Sequence, residues 1–292
     1  MSSAPQTAVV CDTTAYLPDD VVRDLGIHRV SLYVTLDGDT QPEAELTDYD
    51  TFYERLGRSK EGASTSQPSV GDFVSVYEPL LAAGREVVSV HLSAGISGTC
   101  GSANQARQRL IDEGKGGERI RVYDSRSACG GTGLLAMTAA RVAATGADGD
   151  AVWERVGKTR DALKMWFAID TLEYLRKGGR IGAAQAFLGS TLKIKPILTL
   201  EEEITPIERV RTRRRALERM MDFARERHDD GADGWVVQHI HDPETAQTLV
   251  EAGREIYGCE PIFVSEVGPV IGAHIGPGLL GVGGVPKSVL EP

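Results

Sequence analysis

The sequence predicts an α/β fold, and the order of strand-like and helix-like patterns along the chain carries that prediction. The first half holds three short apolar runs, each followed by a polar turn and a helical pattern, at residues 7–11, 86–92 and 119–123. This alternation is typical of a parallel sheet with helices on both faces. In such sheets ligands bind at the carboxyl ends of the strands.

The second half mixes helices with antiparallel strands. Residues 193–200 and 204–210 alternate apolar and polar side chains around a turn of glutamates, which predicts a hairpin. A length of 292 residues suits two domains. We therefore expect an N-terminal α/β domain over 1–162 and a C-terminal α+β domain with a mixed or antiparallel sheet over 163–292.

Local signals predict the elements between the first and second strands. Residues 17–25 predict a helix with acidic residues in its first turn, where they oppose the helix dipole. Residues 28–36 alternate and contain Val and Tyr, which predicts a strand that the turn signal Asp37-Gly38 ends. Residues 47–56 predict a short helix capped at its first or second residue.

A polar loop over residues 62–69 separates this region from the next helix. Pro68 keeps Gln67 extended, and Ser69 caps a helix over 70–83. Helical patterns also follow the second and third strands, at residues 99–113, 131–145 and 148–163.

The C-terminal half adds more strands and helices and ends in a glycine-rich segment. Strands are predicted at residues 166–169, 235–240 and 261–267. Helices are predicted at residues 171–176, 181–188 and 243–257, and another begins at Thr212 with apolar residues at helical spacing. The last segment, 268–282, is apolar and holds a single histidine, His274.

The stretch from residue 93 to residue 99 is the strongest candidate for a ligand site. It lies between a strand and a helix and carries no charge, two glycines and three hydroxyls, those of Ser93, Ser97 and Thr99. Glycine lets a ligand approach the backbone closely, and the N–H groups at a helix N-terminus attract anions. We interpret the stretch as a site for a phosphate or a carboxylate, although helix capping alone accounts for one hydroxyl.

Composition excludes several classes of protein. The net charge of −10 and the pI near 5.2 argue against a nucleic-acid binder. The four cysteines are far apart, so we expect reduced, mostly structural thiols in a cytoplasmic protein and no metal site. No apolar segment approaches the 18 residues of a membrane span, and the first residues lack a signal-peptide pattern. The phosphate-loop and dinucleotide motifs are absent, so no nucleotide cofactor is expected.

Four segments match one protein family in order. They are residues 65–69, 93–102, 170–181 and 268–278, and residues 192–198 strengthen the match. The chain resembles the DegV family, the fatty-acid-binding subunits of bacterial fatty acid kinase, over nearly its whole length. The resemblance implies two α/β domains with one acyl chain between them. It also implies a carrier without catalysis of its own, which presents the acid to a separate kinase catalytic subunit for acyl-phosphate formation in phospholipid synthesis.

The resemblance also implies roles for particular residues. The hydroxyls of Thr65 and Ser97 would hold the carboxylate, His274 corresponds to a histidine of the family, and Arg176 to an arginine. The full set of expected ligand-binding residues is Thr65, Ser66, Ser93, Ser97, Gly98, Thr99, Arg176 and His274. The chain departs from the family at Glu201-Glu202-Glu203, where a glycine is usual, and at Cys100, where an aromatic residue often stands.

Elementary energetics agree with a fatty acid ligand. Each buried methylene contributes about 0.8 kcal/mol, so a chain of about 15 contributes roughly 12 kcal/mol before the costs of binding. A buried carboxylate must have its water replaced by hydrogen bonds. Hydroxyls and a backbone N–H would supply about three of these, and His274 or Arg176 would balance the charge.

Other interpretations stay open for the same residues. His274 suits a structural role, and Arg176 suits a solvated cation at a helix end. Residues 209–215 are rich in arginine, which indicates either a solvated face or a docking patch for an acidic partner or an anionic membrane surface. A serine hydrolase or acyltransferase with Ser97 as nucleophile and His274 as base is the alternative function, although the spacing is not G-x-S-x-G.

Overall fold

The computed structural model describes residues 6–189 and 194–292. The helices and strands follow one another as β1 (Thr7–Asp12), α1 (Asp19–Asp24), β2 (His28–Val30), β3 (Tyr33–Leu36), β4 (Asp39–Pro42), α2 (Tyr49–Arg58), β5 (Ala63–Ser66), α3 (Val70–Ala82), β6 (Glu86–His91), α4 (Thr99–Asp112), β7 (Ile120–Asp124), α5 (Gly130–Ala144), α6 (Gly149–Ala162), β8 (Lys164–Ala168), α7 (Glu173–Lys177), β9 (Lys195–Leu200), β10 (Ile204–Val210), α8 (Arg213–Asp229), β11 (Gly234–His239), α9 (Pro243–Tyr257), β12 (Phe263–Glu266), α10 (Pro269–Ile275) and β13 (Leu280–Val285).

The chain forms two compact units, each assembled from separate stretches of sequence. The first unit contains Met1–Leu32, Gln67–Ala162 and Lys287–Pro292, and the second contains Tyr33–Ser66 and Leu163–Pro286. The division expected after residue 162 is one of the points where the chain changes unit. Residues 33–66 group with the C-terminal stretch because β3, β4 and β5 form a sheet of their own, against which α10 packs.

The first unit is built on a parallel sheet with the strand order β2-β1-β6-β7, as predicted. Side chains alternate between the two faces of a strand. Ala8 and Val10 of β1 therefore share a core cluster with Phe73 of α3 and Leu110 of α4. Helix α5 packs on β1 and β6 and is buried along most of its length.

The second unit holds a six-stranded mixed sheet with the order β10-β9-β8-β13-β11-β12. Strands β11 and β12 are parallel, and the other neighbours are antiparallel, so the mixed sheet is confirmed. The hairpin of β9 and β10 is confirmed as well, although residues 190–193 at its approach lie outside the described residues. Trp235 of β11 is buried and stacks on Tyr257 of α9, with ring centroids 5.1 Å apart.

Two predictions in the N-terminal half are wrong. The single strand expected over 28–36 is two strands, β2 and β3, in different sheets. The chain leaves the first sheet after Val30, and the N–H of Leu32 donates to the side chain of Thr13 (3.3 Å) instead of to a neighbouring strand. The polar loop expected over 62–69 contains β5, which has no apolar run and forms through its backbone pairing with β3.

Two further differences lie in the C-terminal half, and both involve glycine. Residues 181–188 form a 3-10 helix, Gly182–Phe187, which starts at a glycine with φ of +52°. The glycine-rich end contains α10 and β13, which the sequence pattern does not indicate. A Cβ on Gly283 would overlap the backbone of β8, so this strand needs glycine where the pattern for a strand disfavours it.

Within the described stretches, no helix combines the length and the apolar character that crossing a membrane requires.

We predict that Gly253→Ala destabilises the protein although alanine is the better helix former. A Cβ at this position of α9 would overlap the buried ring of Trp235, and overpacking of this kind costs about 1–3 kcal/mol. Gly101→Ala in α4 is the matched control, because its Cβ would meet nothing within 4 Å. Alanine should gain about 0.5–1 kcal/mol there. Urea denaturation of both variants measures the difference, and equal midpoints would contradict the packing argument.

Candidate functional site

The segment with the Thr/Ser motif of residues 65–69 begins on β5. Burial alternates along this strand, so Thr65 is half-buried while Ser64 and Ser66 are exposed. Because successive side chains of a strand point to opposite faces, Ser66 does not share the environment of Thr65. The structure therefore brings Thr65, and not Ser66, to the buried side of the three-stranded sheet.

A hydrogen bond joins Thr65 to His274 in the second unit. The Oγ1 atom of Thr65 lies 2.7 Å from the Nε2 atom of His274, which occupies the last turn of α10. The two residues are 209 positions apart in sequence. Helix α10 packs against both β3 and β5, so the sheet and the helix together hold the pair.

One glycine leaves room for the imidazole of this pair, and a second leaves room for the ring of Tyr174. Gly178 lies against the imidazole, and a Cβ there would overlap the Nδ1 atom of His274. Gly276, which follows α10, has φ of +75° and lies against the ring of Tyr174. Residues 65–69, 170–181 and 268–278, singled out separately in the sequence, thus meet around one imidazole.

Burial keeps His274 neutral near pH 7. Loss of solvent is the larger cause, and the charge of Arg180 the smaller, of a pKa lowered from 6.5 to about 4. The Nδ1 atom of His274 has no hydrogen-bond partner among the described residues. When Nε2 carries the ring proton and donates it to Thr65, the Thr65 hydroxyl is left to donate its own proton to a ligand.

Arg180, and not Arg176, is the cation that acts on His274. Arg180 donates from Nη1 to the carbonyl of Gly178 (2.8 Å), the glycine that lies against the imidazole. Arg176 stands near the C-terminal end of α7 with an exposed side chain. The family resemblance implies the first arginine of the segment, Arg176. The contact of Arg180 with Gly178 depends on the folded chain, and no sequence pattern indicates it.

The Ser/Gly stretch of residues 93–99 belongs to the first unit and is folded around its own hydroxyls. Ser93 is fully buried, and its Oγ accepts the N–H of Gly95 (3.2 Å). The Oγ of Ser97 lies 2.9 Å from the Oγ1 of Thr99, which is also buried. Gly98 is exposed at the start of α4, and a Cβ there would overlap the amide of Gln67. Ser97, half-buried, is the hydroxyl of this stretch that is open to a ligand.

Two carboxyl groups from neighbouring strand ends hold this stretch in place. Asp12, at the end of β1, accepts the N–H of Leu92 (3.1 Å), and Asp124, at the end of β7, accepts the N–H of Ala94 (3.1 Å). The sequence predicts an anion site at the N–H groups that begin α4, and these two acids bind N–H groups that precede that helix. The hydroxyls and the start of α4 therefore remain for a ligand.

Asp12 also ends a buried polar chain. His91 bonds to Asp12 through Nδ1 (3.0 Å) and to Ser89 through Nε2 (2.6 Å), and Tyr77 donates to the same Ser89 (2.7 Å). The order of groups is that of a serine hydrolase triad. All four side chains are inaccessible to solvent, so this chain of hydrogen bonds supports the strand ends and offers no nucleophile to a substrate.

The eight expected site residues divide between the units. Thr65, Ser66, Arg176 and His274 belong to the second unit, and Ser93, Ser97, Gly98 and Thr99 belong to the first. Within the second unit the structure joins Thr65 to His274. The expectation that Thr65 and Ser97 hold one carboxylate stays a prediction.

One cluster of side chains has the composition of a cation site. The ligand atoms of Asp50, His241 and Glu266 lie within 4.8 Å of one another. Hydrogen bonds account for this grouping, since His241 pairs with Asp50 through Nδ1 (2.9 Å) and donates its backbone N–H to Glu266 (3.1 Å). We assign no metal to it.

The arginines of residues 209–215 are mostly engaged. Arg213 pairs with Asp170 and Asp242, and Arg214 and Arg215 both pair with Glu218. The guanidinium of Arg209 lies over the ring of Phe187, 4.9 Å from its centroid. Arg211 is exposed and has no ion pair in the described part of the chain, so it is the cation of this group most available to a partner.

The fold places the chain in a class of proteins with one parallel-sheet α/β unit and one mixed-sheet unit, and the second unit holds the Thr65–His274 pair. The chain belongs to the DegV family, because the model of that family, described as an uncharacterised protein family, matches residues 6–287. Protein DegV of Bacillus subtilis is 35% identical over 283 residues, covering 94% of this chain and 97% of that protein. A DegV domain-containing protein of Streptomyces coelicolor is 37% identical over 279 residues, covering 94% and 96%.

Solved structures agree over nearly the whole chain. A DegV family protein from Thermus thermophilus, described by its fatty acid binding, has a TM-score of 0.86 at 31% identity and covers 96% of this chain and 99% of its own. DegV from Bacillus subtilis, described as a fatty acid binding protein, has a TM-score of 0.83 at 34% identity with the same coverage. The family resemblance and the fold class predicted from the sequence are thereby confirmed.

We predict that NMR titration finds the pKa of His274 near 4 and that Arg180→Gln raises it. Removal of the positive charge favours the imidazolium, but the pKa should stay below 6.5 because burial is the larger cause of the shift. Arg176→Gln is the matched control and should leave the pKa unchanged. A larger effect of Arg176→Gln than of Arg180→Gln would contradict the assignment.

The same shift makes stability depend on pH. The unfolded chain takes up a proton at His274 below pH 6.5, whereas the folded chain does so only near pH 4. Stability from this group is therefore complete above pH 6.5 and is lost as the pH falls toward 4, by roughly 3 kcal/mol. Urea denaturation of wild type and His274→Gln across this range should show the larger loss in wild type. Burial also lowers the pKa of His28 and His239, so both proteins lose some stability, and the difference between them measures His274.

Proposed function

We propose that this protein binds one long-chain fatty acid and acts as its carrier. The observation that carries the proposal is the hydrogen bond between the Thr65 hydroxyl and the His274 imidazole. Two relatives of known structure, at 31% and 34% identity, are described as fatty acid binding. Thr65 and His274 are both half-buried, which suits a ligand with a small polar head and a long apolar tail.

The pair is suited to a carboxylate. A neutral His274 donates from Nε2 to Thr65, and this bond polarises the Thr65 hydroxyl toward an acceptor. An arriving carboxylate stabilises the imidazolium, so its binding should raise the pKa of His274 from about 4. The charge of Arg180 also acts on the imidazole and adds positive potential near the proposed head-group site. Ser97 is the donor that we propose from the first unit.

The acyl chain supplies most of the affinity. About 15 methylenes contribute roughly 12 kcal/mol on leaving water, against association costs of about 4–15 kcal/mol. The head group therefore decides orientation more than affinity, because a hydrogen bond to a charged group contributes only about 1.5–3 kcal/mol. Such a division of roles suits a carrier that must release its ligand to another protein.

The alternative function, a serine hydrolase using Ser97, lacks support at both of its residues. The side-chain partner of His274 is Thr65, and the hydroxyl partner of Ser97 is Thr99. A catalytic imidazole also needs an acid to orient its second nitrogen. In the described residues the Nδ1 atom of His274 has no such partner.

We further propose that the bound acid is presented to a separate fatty acid kinase catalytic subunit, which forms the acyl phosphate. This step is inferred from the family resemblance. The notable feature of the chain in this respect is the exposed Arg211, which stands beside arginines that already have partners. An acidic surface on the kinase would complement it.

We predict that Thr65→Val weakens oleate binding by about 10- to 100-fold, the range that loss of a charge-assisted hydrogen bond produces. Valine keeps the shape of threonine and removes the hydroxyl. Ser66→Ala, on the opposite face of β5, is the control and should bind as wild type does. Native mass spectrometry of the purified protein and calorimetric titration with oleate measure the effect. Wild-type protein that carries no acyl chain and binds no added oleate would overturn the proposed function.

We predict that Arg211→Glu lowers acyl-phosphate formation by the kinase about tenfold, equivalent to 1.4 kcal/mol at the docking surface, and leaves oleate affinity unchanged. Arg213 is unsuitable for this test, because its reversal would also break the pairs with Asp170 and Asp242. Arg225→Glu, at an exposed position of α8 paired with Asp222, is the control. Acyl-phosphate formation at the wild-type rate in Arg211→Glu would show that Arg211 is a solvated surface cation and does not dock the kinase.

A further inference from the structure

Helix α10, which carries His274, is held at its start by a residue from far away in the sequence. The Oε1 atom of Glu43 accepts the backbone N–H of Val270 at 2.8 Å, across 227 positions. The residue at the N-cap position, Gly268, provides no side-chain cap. A serine or aspartate at that position would cap the helix from within the same segment. Glu43 caps it from a distant segment, and the contact therefore also ties the start of α10 to the chain that follows β4.

A second contact from the same part of the chain holds the approach to α10. The hydroxyl of Tyr53 donates to the carbonyl of Val267 at 2.7 Å. Gly272 leaves room for the Tyr53 ring, because a Cβ there would overlap it. Helix α10 is thus fixed both before and within its first turn by residues between 33 and 66.

The same stretch also carries Thr65. Glu43 follows β4 directly, β4 pairs with β3, and β3 pairs with β5, on which Thr65 lies. Val270 and His274 are one helical turn apart, roughly 6 Å along the axis. One small sheet therefore presents Thr65 and, through Glu43, sets the helix that presents the partner of Thr65.

We propose that Glu43 is a positioning residue, which holds α10 so that the His274 ring meets the Thr65 hydroxyl. Glu43 is 2% exposed, and burying a carboxyl group is costly unless it is hydrogen-bonded. The hydrogen bond from the Val270 N–H offsets part of that cost while α10 stays in place. The role in ligand binding rests on the proposed function, whereas the geometric role does not.

The test is a long-range ¹H–¹⁵N spectrum of the full chain labelled with ¹⁵N-histidine, together with oleate affinity. We expect wild type to show one fixed tautomer of His274 at pH 7. Glu43→Ala should average the two ring-nitrogen shifts and weaken oleate binding about tenfold. Glu43→Gln keeps an oxygen acceptor for Val270 and should restore both. Glu45→Ala, at an exposed position of the same 3-10 turn, is the matched control and should behave as wild type.

The outcomes separate the two proposals. Unchanged His274 signals in Glu43→Ala, or signals changed equally by Glu45→Ala, would overturn the positioning role. Altered His274 signals in a protein whose wild type binds no oleate would support the positioning role and overturn the proposed function. If Glu43→Ala fails to fold, Glu43→Leu, which fills the volume without an acceptor, carries the same expectation.

Discussion

The hydrogen bond between Thr65 and His274 is the interaction on which the candidate site depends. It couples the edge of a three-stranded sheet to a seven-residue helix across 209 positions of sequence. Burial favours the neutral imidazole. In the tautomer that carries its proton on Nε2, the imidazole donates to Thr65, and the Thr65 hydroxyl is then left to donate to a ligand. The bond also requires glycine at position 178, since a side chain there would occupy the space of the imidazole ring.

Carboxyl groups organise the surroundings of both candidate segments by binding backbone N–H groups. Asp12 and Asp124 fix the stretch that follows β6, and Glu43 fixes the start of α10. Each is an acid placed close to where we propose that an anion binds. These carboxylates repel the carboxylate of a ligand, so the affinity of the ligand has to come from its apolar part. Hydroxyls, rather than free backbone N–H groups, then donate the hydrogen bonds to its head group.

Much of this architecture was predictable from the sequence, and the failures have physical reasons. The parallel sheet, the β9–β10 hairpin and the helix starting at Thr99 follow from local periodicity and turn signals. Strand β5 has no apolar pattern, and it forms because its backbone pairs with that of β3. The choice between Arg176 and Arg180, and the role of Glu43, depend on contacts across the chain that no local pattern encodes.

The interleaved order of the chain has a consequence for how the protein is made. Residues 33–66 leave the ribosome early, but α10, to which Glu43 and Tyr53 bind, is synthesised more than 200 residues later. The sheet formed by residues 33–66 lacks its contacts with α10 until that helix has been synthesised. Contacts of such long sequence separation slow folding. Completion of the Thr65–His274 pair is therefore among the last events of biogenesis, and truncation before residue 269 would remove it.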